Sequence, residues 1–517
     1  MRYQLLFATW FCFASFLDGQ TTFNHRFHFD TPATYLTSIV PTDSCYYATG
    51  IYADTLPFLQ VGSLFVKLDL DGNPVFVKKL ISPEKSYETR FPPLVPLEDG
   101  TFVVSGISYD PDMKGILIKY DKNGDTLWTK EYLNPFYPFQ EYIVPFSMAR
   151  MPDKGFVLAC WITKSNNQPD IYLLKTDNSG NKQWGKVYGN NMVEMPKSLL
   201  TTSDGDIIVG GTRNNLNLAV QNYIYQCLIF RTDSTGNVIW NYLTNNNQGL
   251  IDAANDMVLT DTGSLVIATN FGTEVVLPSF NIVKFDKMVF KLNVNNSIEW
   301  QRKFKDKTPT TITTLNNVVR ASDGSGFVIA GISTETTSSI TSEIRGWIGK
   351  VSPEGDSLWT REYIGVECDN PRHQILDLKE TPDGGFILCG ESKDLDATNP
   401  RQQAWLLKLD QHGCLVPGCY TATEDTQGEE PTIRLAIYPN PTSDYLNFYL
   451  RTPRPAKQAS FRIINMEGKL MQSFKSDRPA ATFIVPVQEW AAGVYFLQYL
   501  EEGVVRASEK FIKHNGL

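Results

Sequence analysis

The chain has 517 residues, of which 42% are hydrophobic and 20% charged, the composition of a globular protein long enough for a large core and more than one domain. Lys and Arg number 47 against 56 Asp and Glu, a net charge of −9. This excludes an unfolded, charge-dominated chain, and it excludes the concentrated basic surface that nucleic-acid binding needs.

The chain opens MRYQLLFATWFCFASFLDGQ, with Arg2 as a short charged segment and Leu5 to Leu17 as an apolar core. Residues 1–19 read as a signal peptide, with Gly19 before the cleavage point. No other run approaches the roughly 20 apolar residues of a spanning helix, so no transmembrane segment is expected in the mature chain. The stretch Phe23-Asn-His-Arg-Phe-His-Phe29 then looks like the second strand of a hairpin whose first strand is missing.

From there a strand–turn–strand unit repeats. Its clearest copy is Leu117 to Tyr132, where Asp121-Lys122-Asn123-Gly124 joins two β-rich runs and Trp128 lies on the return strand. Asp hydrogen-bonds the backbone ahead of it, and Gly takes positive φ without strain, the chemistry of a type I turn closed by a Gly bulge. The turns start at Asp69, Asp121, Asp177, Asp233, Asn293, Ser352 and Asp410. The aromatics are Phe76, Trp128, Trp184, Trp240, Trp300 and Trp359, and the last copy has none. Each copy carries a basic residue two positions before the turn: Lys67, Lys119, Lys175, Arg231, Lys291, Lys350 and Lys408.

A second motif alternates with the first: a turn, then an apolar run ending in small residues. Examples are Phe102 to Gly106, Ile207 to Gly211, Phe327 to Gly331 and Phe386 to Gly390, with looser copies at Tyr46–Gly50, Phe156–Cys160 and Leu265–Thr269. Two hairpins per repeat make a four-stranded blade, and seven of them can close a ring. The expectation is an all-β chain: a seven-bladed β-propeller over residues 20–420, with the unpaired N-terminal strand completing the last blade. Both sets of short turns lie on one face. The other face carries the longer links, Thr212 to Tyr225, Asn270 to Lys287, Ser333 to Arg345, Glu391 to Arg401 and the aromatic Tyr132 to Tyr142, expected as irregular loops and the natural place for a site.

Eight cysteines are present, scattered rather than framed, with no metal-binding spacing. Cys414 and Cys419 flank Leu-Val-Pro-Gly, a turn that can bring them into disulfide range. Residues 421–433 (TATEDTQGEEPTI) read as an acidic linker. Residues 434–517 then hold about seven short strands, the pattern of a small Ig-like β-sandwich.

This last segment carries Ile437-Tyr-Pro439-Asn440-Pro441, Met466-Glu-Gly468-Lys, Gly493-Val-Tyr495-Phe-Leu-Gln and Lys510-Phe-Ile-Lys513. With those motifs it resembles the type A C-terminal sorting domain of the type IX secretion system of Bacteroidota. The resemblance implies handling by that secretion machinery and delivery from the periplasm to the cell surface or the medium. The tail His514–Leu517 runs a few residues past the usual basic end.

No catalytic constellation stands out. No HExxH or GxSxG is present among five scattered histidines, and the turn aspartates lack the ligand spacing of a calcium loop. The DxxG turns differ in spacing from the Asp-box of sialidases, and there are no adjacent cysteines as in quinoprotein propellers. No cofactor, metal or catalytic residue is expected. The leading functional expectation is a secreted or surface-attached module that binds a glycan or protein ligand. The alternative is a glycan-active hydrolase or lyase with its site on the long-link face.

Overall fold

A computed structural model describes residues 20–514, apart from 54–60, 81, 83–84, 92, 111, 136–141, 164–168, 190–191, 218–221, 245–249, 277–280, 306–312, 337–341, 366–370, 395–401, 417–418, 420–432, 438–439, 444, 453–458 and 476–479. The signal segment, most of the linker and the centre of the Tyr132–Tyr142 link lie outside the described residues.

The chain is all-β. Antiparallel groups of strands follow one another at 33–80, 86–132, 143–188, 193–243, 250–304 and 314–363, with a three-stranded group at 371–409 that a parallel contact between Ile344 and Arg372 joins to the one before it, an array consistent with a propeller. Within each sheet consecutive strands pair, and the first strand is innermost. In the sheets at 86–132 and 250–304 that innermost strand is broken into two short pieces, Ser86–Glu88 with Val95–Pro96 and Leu250–Ile251 with Asp256–Leu259.

The turn chemistry is as the sequence suggests. Asp177 accepts from the N–H groups of Ser179 and Asn181, both at 2.8 Å, and Gly180 sits at φ +77°. Asp121 and Asp233 cap their turns the same way. These bonds favour the carboxylate: Asp121 and Asp177 are held below the usual carboxyl range, and Asp233 is held down at about 2, in each case chiefly by its turn hydrogen bonds. In four of the repeats the recurring basic residue reaches the short turn between the first two strands of its own sheet, while Lys291 meets Glu299 on its return strand at 2.7 Å. Lys119 meets Asp99 at 3.1 Å, Lys175 meets Asp153 at 2.6 Å, Arg231 meets Asp206 at 2.7 Å and Lys408 meets Asp383 at 2.9 Å. The repeated charges therefore tie turns to strands.

Neighbouring sheets are joined by an aromatic-on-glycine contact. A Cβ placed on Gly180 would meet the Trp128 ring of the preceding sheet at 3.1 Å. Trp184 lies on Gly236, Phe76 on Gly124, Trp300 on Gly355 and Trp359 on Gly413 in the same way. These glycines are thus needed twice, for positive φ and for the ring above them. Tyr132, Tyr188 and Tyr363 add hydroxyl bonds of 2.6 Å to the carbonyls of Gly180, Gly236 and Gly413. The tryptophans are half-buried at these seams rather than enclosed.

The first and last sheets meet. Phe23–Phe27 pairs antiparallel with Gln403–Leu409, placing Phe23 opposite Lys408. This is the register of Trp128 opposite Lys119 and Trp359 opposite Lys350. Phe23 lies on Gly72 of the first sheet and packs with Leu36, Ile39, Ile387 and Leu406. The N-terminal strand thus takes the seat that the last repeat, which has no aromatic of its own, leaves open.

Three of the long links are not irregular loops. Ile207–Asn217 pairs with Asn222–Thr232 along its described length, as do Leu265–Val276 with Asn281–Leu292 and Phe327–Thr336 with Ser342–Val351. Their Asn- and Thr-rich sequences look loop-like, yet pairing satisfies each backbone group along the ladder. The sulfurs of Cys414 and Cys419 lie at bonding distance, with Cα atoms 5.8 Å apart.

Beyond the linker, a three-stranded and a four-stranded antiparallel sheet share one core of Leu446, Phe448, Phe461, Phe483, Leu497 and Phe511. Ile484 and Tyr445, on the other face of the three-stranded sheet, pack against the last repeat sheet beside Tyr363 and Leu415.

Candidate functional site

The innermost strands enclose a central cavity of about 760 Å³, within the ~300–1,000 Å³ usual for ligand pockets. Each side chain in it is aimed by the same local device. The innermost strand of the first sheet slips register between Leu36 and Ser38, leaving Thr37 unpaired. Equivalent slips leave Phe146, Lys197, Asn316 and Leu376 unpaired. All five line the cavity. A β-bulge of this kind bends its strand and re-aims one side chain.

The second sequence motif makes room for the bulge. Gly50, Gly211, Gly331 and Gly390 stand opposite the residue just before it. A Cβ there would come within 2.2, 2.2, 2.1 and 1.9 Å of the carbonyl oxygens of Tyr35, Met195, Thr314 and Gln374. The glycines of this motif therefore serve the cavity wall rather than general crowding. In the sheets at 86–132 and 250–304, the breaks in the innermost strand bring Arg90, Phe91, Asp252 and Asn255 to the cavity instead.

Polar residues beside the bulges lock sheet to sheet. Asp377 accepts from the Ser38 hydroxyl and the Ile39 N–H, both at 2.9 Å, and from the Leu378 N–H and the Lys379 ammonium. Asp256 accepts from the N–H groups of Met257 and Val318 at 2.9 Å. Ser198 donates to the Ala254 carbonyl at 2.9 Å and Asn316 to that of Ile375 at 3.1 Å. These two carboxylates hold the array together; their donors leave little capacity for other work.

The rest of the wall carries aromatic, cationic and acidic groups. Phe91 and Phe146 stack at 4.5 Å and 14°, and Phe91 is 45% exposed. Lys197 stands over the Phe146 ring at 5.4 Å. Burial lowers its pKa, with the Asp252 carboxylate opposing. Asp252 is raised by burial against the opposing effects of the Asn270 amide and Lys197. Burial pushes Asp256 up to about 6 despite its two N–H donors. Among the described residues no group of three His, Cys, Asp or Glu could hold a metal ion.

None of Phe91, Phe146, Lys197 or Asp252 stands out in the sequence, where a site on the long-link face is expected. The available signal is a residue pair that interrupts the apolar innermost strand about 14 positions before the small residue that ends the second motif (Gly50, Cys160, Gly211, Gly331 and Gly390): Thr37-Ser38, Phe146-Ser147, Lys197-Ser198, Asn316-Asn317 and Leu376-Asp377.

The C-terminal motif residues are partly brought together. Asn440 donates to the Lys510 carbonyl at 3.0 Å and accepts from the Ile512 N–H at 2.9 Å. Thr442 bridges to Lys513, which is buried and donates to the His514 carbonyl. The Asn440–Pro441 run and the Lys510–Lys513 end, 70 residues apart, thus form one joint. Tyr495 stacks on Phe511 at 5.4 Å and donates to the Ala491 carbonyl at 2.7 Å. Gly468 closes a separate turn at φ +77°, Gly493 begins a strand, and Pro439 lies outside the described residues.

Residues 436–514 match the secretion system C-terminal sorting domain. That domain marks the chain for secretion to or across the outer membrane, attached to the surface or released. No curated protein matches the chain. Among solved structures, the chain is similar to an ulvan lyase of a polysaccharide lyase family, with 10% identity, 73% of this chain and 92% of that one covered, and a TM-score of 0.44. An α-L-arabinanase of Penicillium chrysogenum is similar at 14% identity, covering 64% and 94%, with a TM-score of 0.38. A protein of unknown function from Dyadobacter fermentans is similar at 11% identity, covering 65% and 93%, with a TM-score of 0.37. At these identities and scores the likeness says nothing of a ligand.

Proposed function

We propose that the protein is an extracellular binding module, a seven-bladed propeller over residues 20–420 that holds its ligand in the central cavity. Residues 1–19 act as its signal peptide, 421–433 as a linker, and 434–517 as an Ig-like sorting sandwich read by the type IX machinery through Pro439, Asn440, Pro441, Gly468, Gly493, Tyr495 and Lys513. Cys414 and Cys419 form a bridge that ends the ring. The observation that carries this reading is the repeated bulge, which spends one residue in each of five innermost strands on lining a single cavity. Repeated departures from regular pairing, at matching places, suit a site rather than a scaffold alone.

The test is a carbohydrate and protein-ligand screen on the purified exported protein, run beside a Phe91→Ala/Phe146→Ala variant. A hit that weakens about 10-fold or more in the variant supports the cavity as the site. Hits unaffected by the variant place binding elsewhere and end this reading.

A second reading, a glycan hydrolase or lyase, is favoured by one observation. Asp252 lines the cavity, and burial raises it, as for a carboxyl that acts as a general acid. Product release from a bound glycan, lost in Asp252→Asn, would support it.

A further inference from the structure

The chemistry of the free groups on the cavity wall narrows the ligand class, resting on the binding reading above. Lys197 is the residue its bulge aims inward, and it makes no hydrogen bond or ion pair with a described residue. It stands over the Phe146 ring at 5.4 Å, and the Asp252 carboxylate acts on its charge. A half-buried ammonium normally recovers its lost hydration through acceptors, so a lysine kept without them is waiting for one. Arg372, at the start of another innermost strand, is likewise without a hydrogen bond or ion pair to a described residue. The Oδ1 atoms of Asn214 and Asn317 also line the cavity, are buried, and accept from no described residue.

On the acidic side of the wall, Asp252 accepts from the Asn270 amide at 3.4 Å and opposes the loss of charge at Lys197. Asp377 is saturated by four donors and Asp256 faces two backbone N–H groups. The unspent groups are therefore cationic and amide, beside one flat apolar surface, the stacked Phe91–Phe146 pair. A peptide side chain needs no such polar breadth, and an aliphatic ligand would leave Lys197 unpaired. A hydroxylated ring with one apolar face and an anionic substituent uses every element.

We propose that the cavity binds an acidic saccharide, with the sugar face on Phe91 and Phe146 and the carboxylate or sulfate on Lys197, assisted by Arg372. The two sources of negative charge share this chemistry, and the choice of probe separates them.

Binding is measured on the full exported chain with polygalacturonate, dextran sulfate and uncharged dextran. The variants are Lys197→Gln, Lys197→Met and Lys122→Gln, the last a lysine in a turn away from the cavity. Lys197→Met keeps the aliphatic stem over Phe146 should the glutamine variant fold poorly. The expected result is binding of one acidic polymer about 10-fold or more tighter than dextran. That preference disappears in either Lys197 variant, with an unchanged melting temperature in Lys197→Met, and persists in Lys122→Gln. Preference for polygalacturonate assigns a carboxylate, and preference for dextran sulfate assigns a sulfate. Dextran binding equal to that of the acidic polymers, lost on Phe146→Ala but not on Lys197→Met, overturns the acidic class while leaving the cavity as the site. Acidic binding unaffected by Lys197→Met and Phe146→Ala overturns both. No binding to any of the three polymers overturns the acidic saccharide.

Discussion

At the scale of single residues, the glycines separate into classes by what stands above them. Gly390 leaves 1.9 Å between an added Cβ and the Gln374 oxygen, whereas Gly493 meets nothing nearer than Tyr495 at 3.9 Å. Gly390→Ala should therefore flatten or displace the bulge at Leu376 and destabilise by about 1–3 kcal/mol, with Gly493→Ala within about 0.5 kcal/mol of wild type by denaturant unfolding. Asp256 gives a pH test. Burial raises it from 3.8 to about 6, so in that window the folded chain holds a proton that the unfolded chain has lost. Its contribution to stability therefore falls as pH rises from about 4 to 6 and stays lost above. Asp256→Asn should gain about 1–3 kcal/mol relative to wild type on going from pH ~4.5 to ~7.5. An identical pH dependence in both proteins would mean that Asp256 titrates normally. The turn aspartates act in the opposite sense. Asp177, held below the usual range by the Asn181 amide and its turn N–H groups, favours the fold above the ordinary carboxyl range and loses that effect in strong acid.

At the scale of elements, the seam between sheets is one ring on one glycine turn. Since Trp128 is half-buried, Trp128→Ala should cost about 2–3 kcal/mol, below the ~3–5 kcal/mol of a fully enclosed aromatic. Phe23 is the enclosed case at 5% exposure, and Phe23→Ala should cost about 3–5 kcal/mol although it sits near the chain start. Deleting residues 20–27 should do more. It exposes the edge of Gln403–Leu409 and should produce concentration-dependent aggregation. A monomer melting like wild type after that deletion would refute the closure. Much of this element was readable in advance. The Asp and Gly of each turn act locally, so spacing alone reveals them. The pairing of Phe23–Phe27 was legible because its pattern matches the other return strands while its partner is missing. The long hairpins were not legible, because Asn- and Thr-rich strands owe their order to pairing rather than to an apolar face. The cavity residues escaped for a different reason. A bulge is set by register between two strands, and its occupants, from Thr37 to Lys197 to Leu376, share position but no chemistry.

At the scale of the whole molecule, the central cavity and the C-terminal address occupy different parts of the chain. The sorting motifs cohere because Asn440 ties the start of the domain to the strand ending at Lys513, so truncation at either end should disable the same joint. Removing residues 434–517 should leave the protein in the periplasm of a host with the secretion system, as judged by fractionation, while surface delivery of the shortened chain would dissociate the domain from export. The repeats supply the other half, an innermost strand that gives up regular pairing once per sheet. The most direct measurement of that claim is hydrogen–deuterium exchange on the exported protein with and without its best-binding polysaccharide. Binding in the cavity should slow exchange at Glu88–Leu94, Ile143–Arg150 and Val193–Thr201, leaving the outermost strands Thr126–Tyr132 and Lys182–Tyr188 unchanged. Protection confined to those outermost strands, or to the turns at Asp121 and Asp177, would contradict a central site.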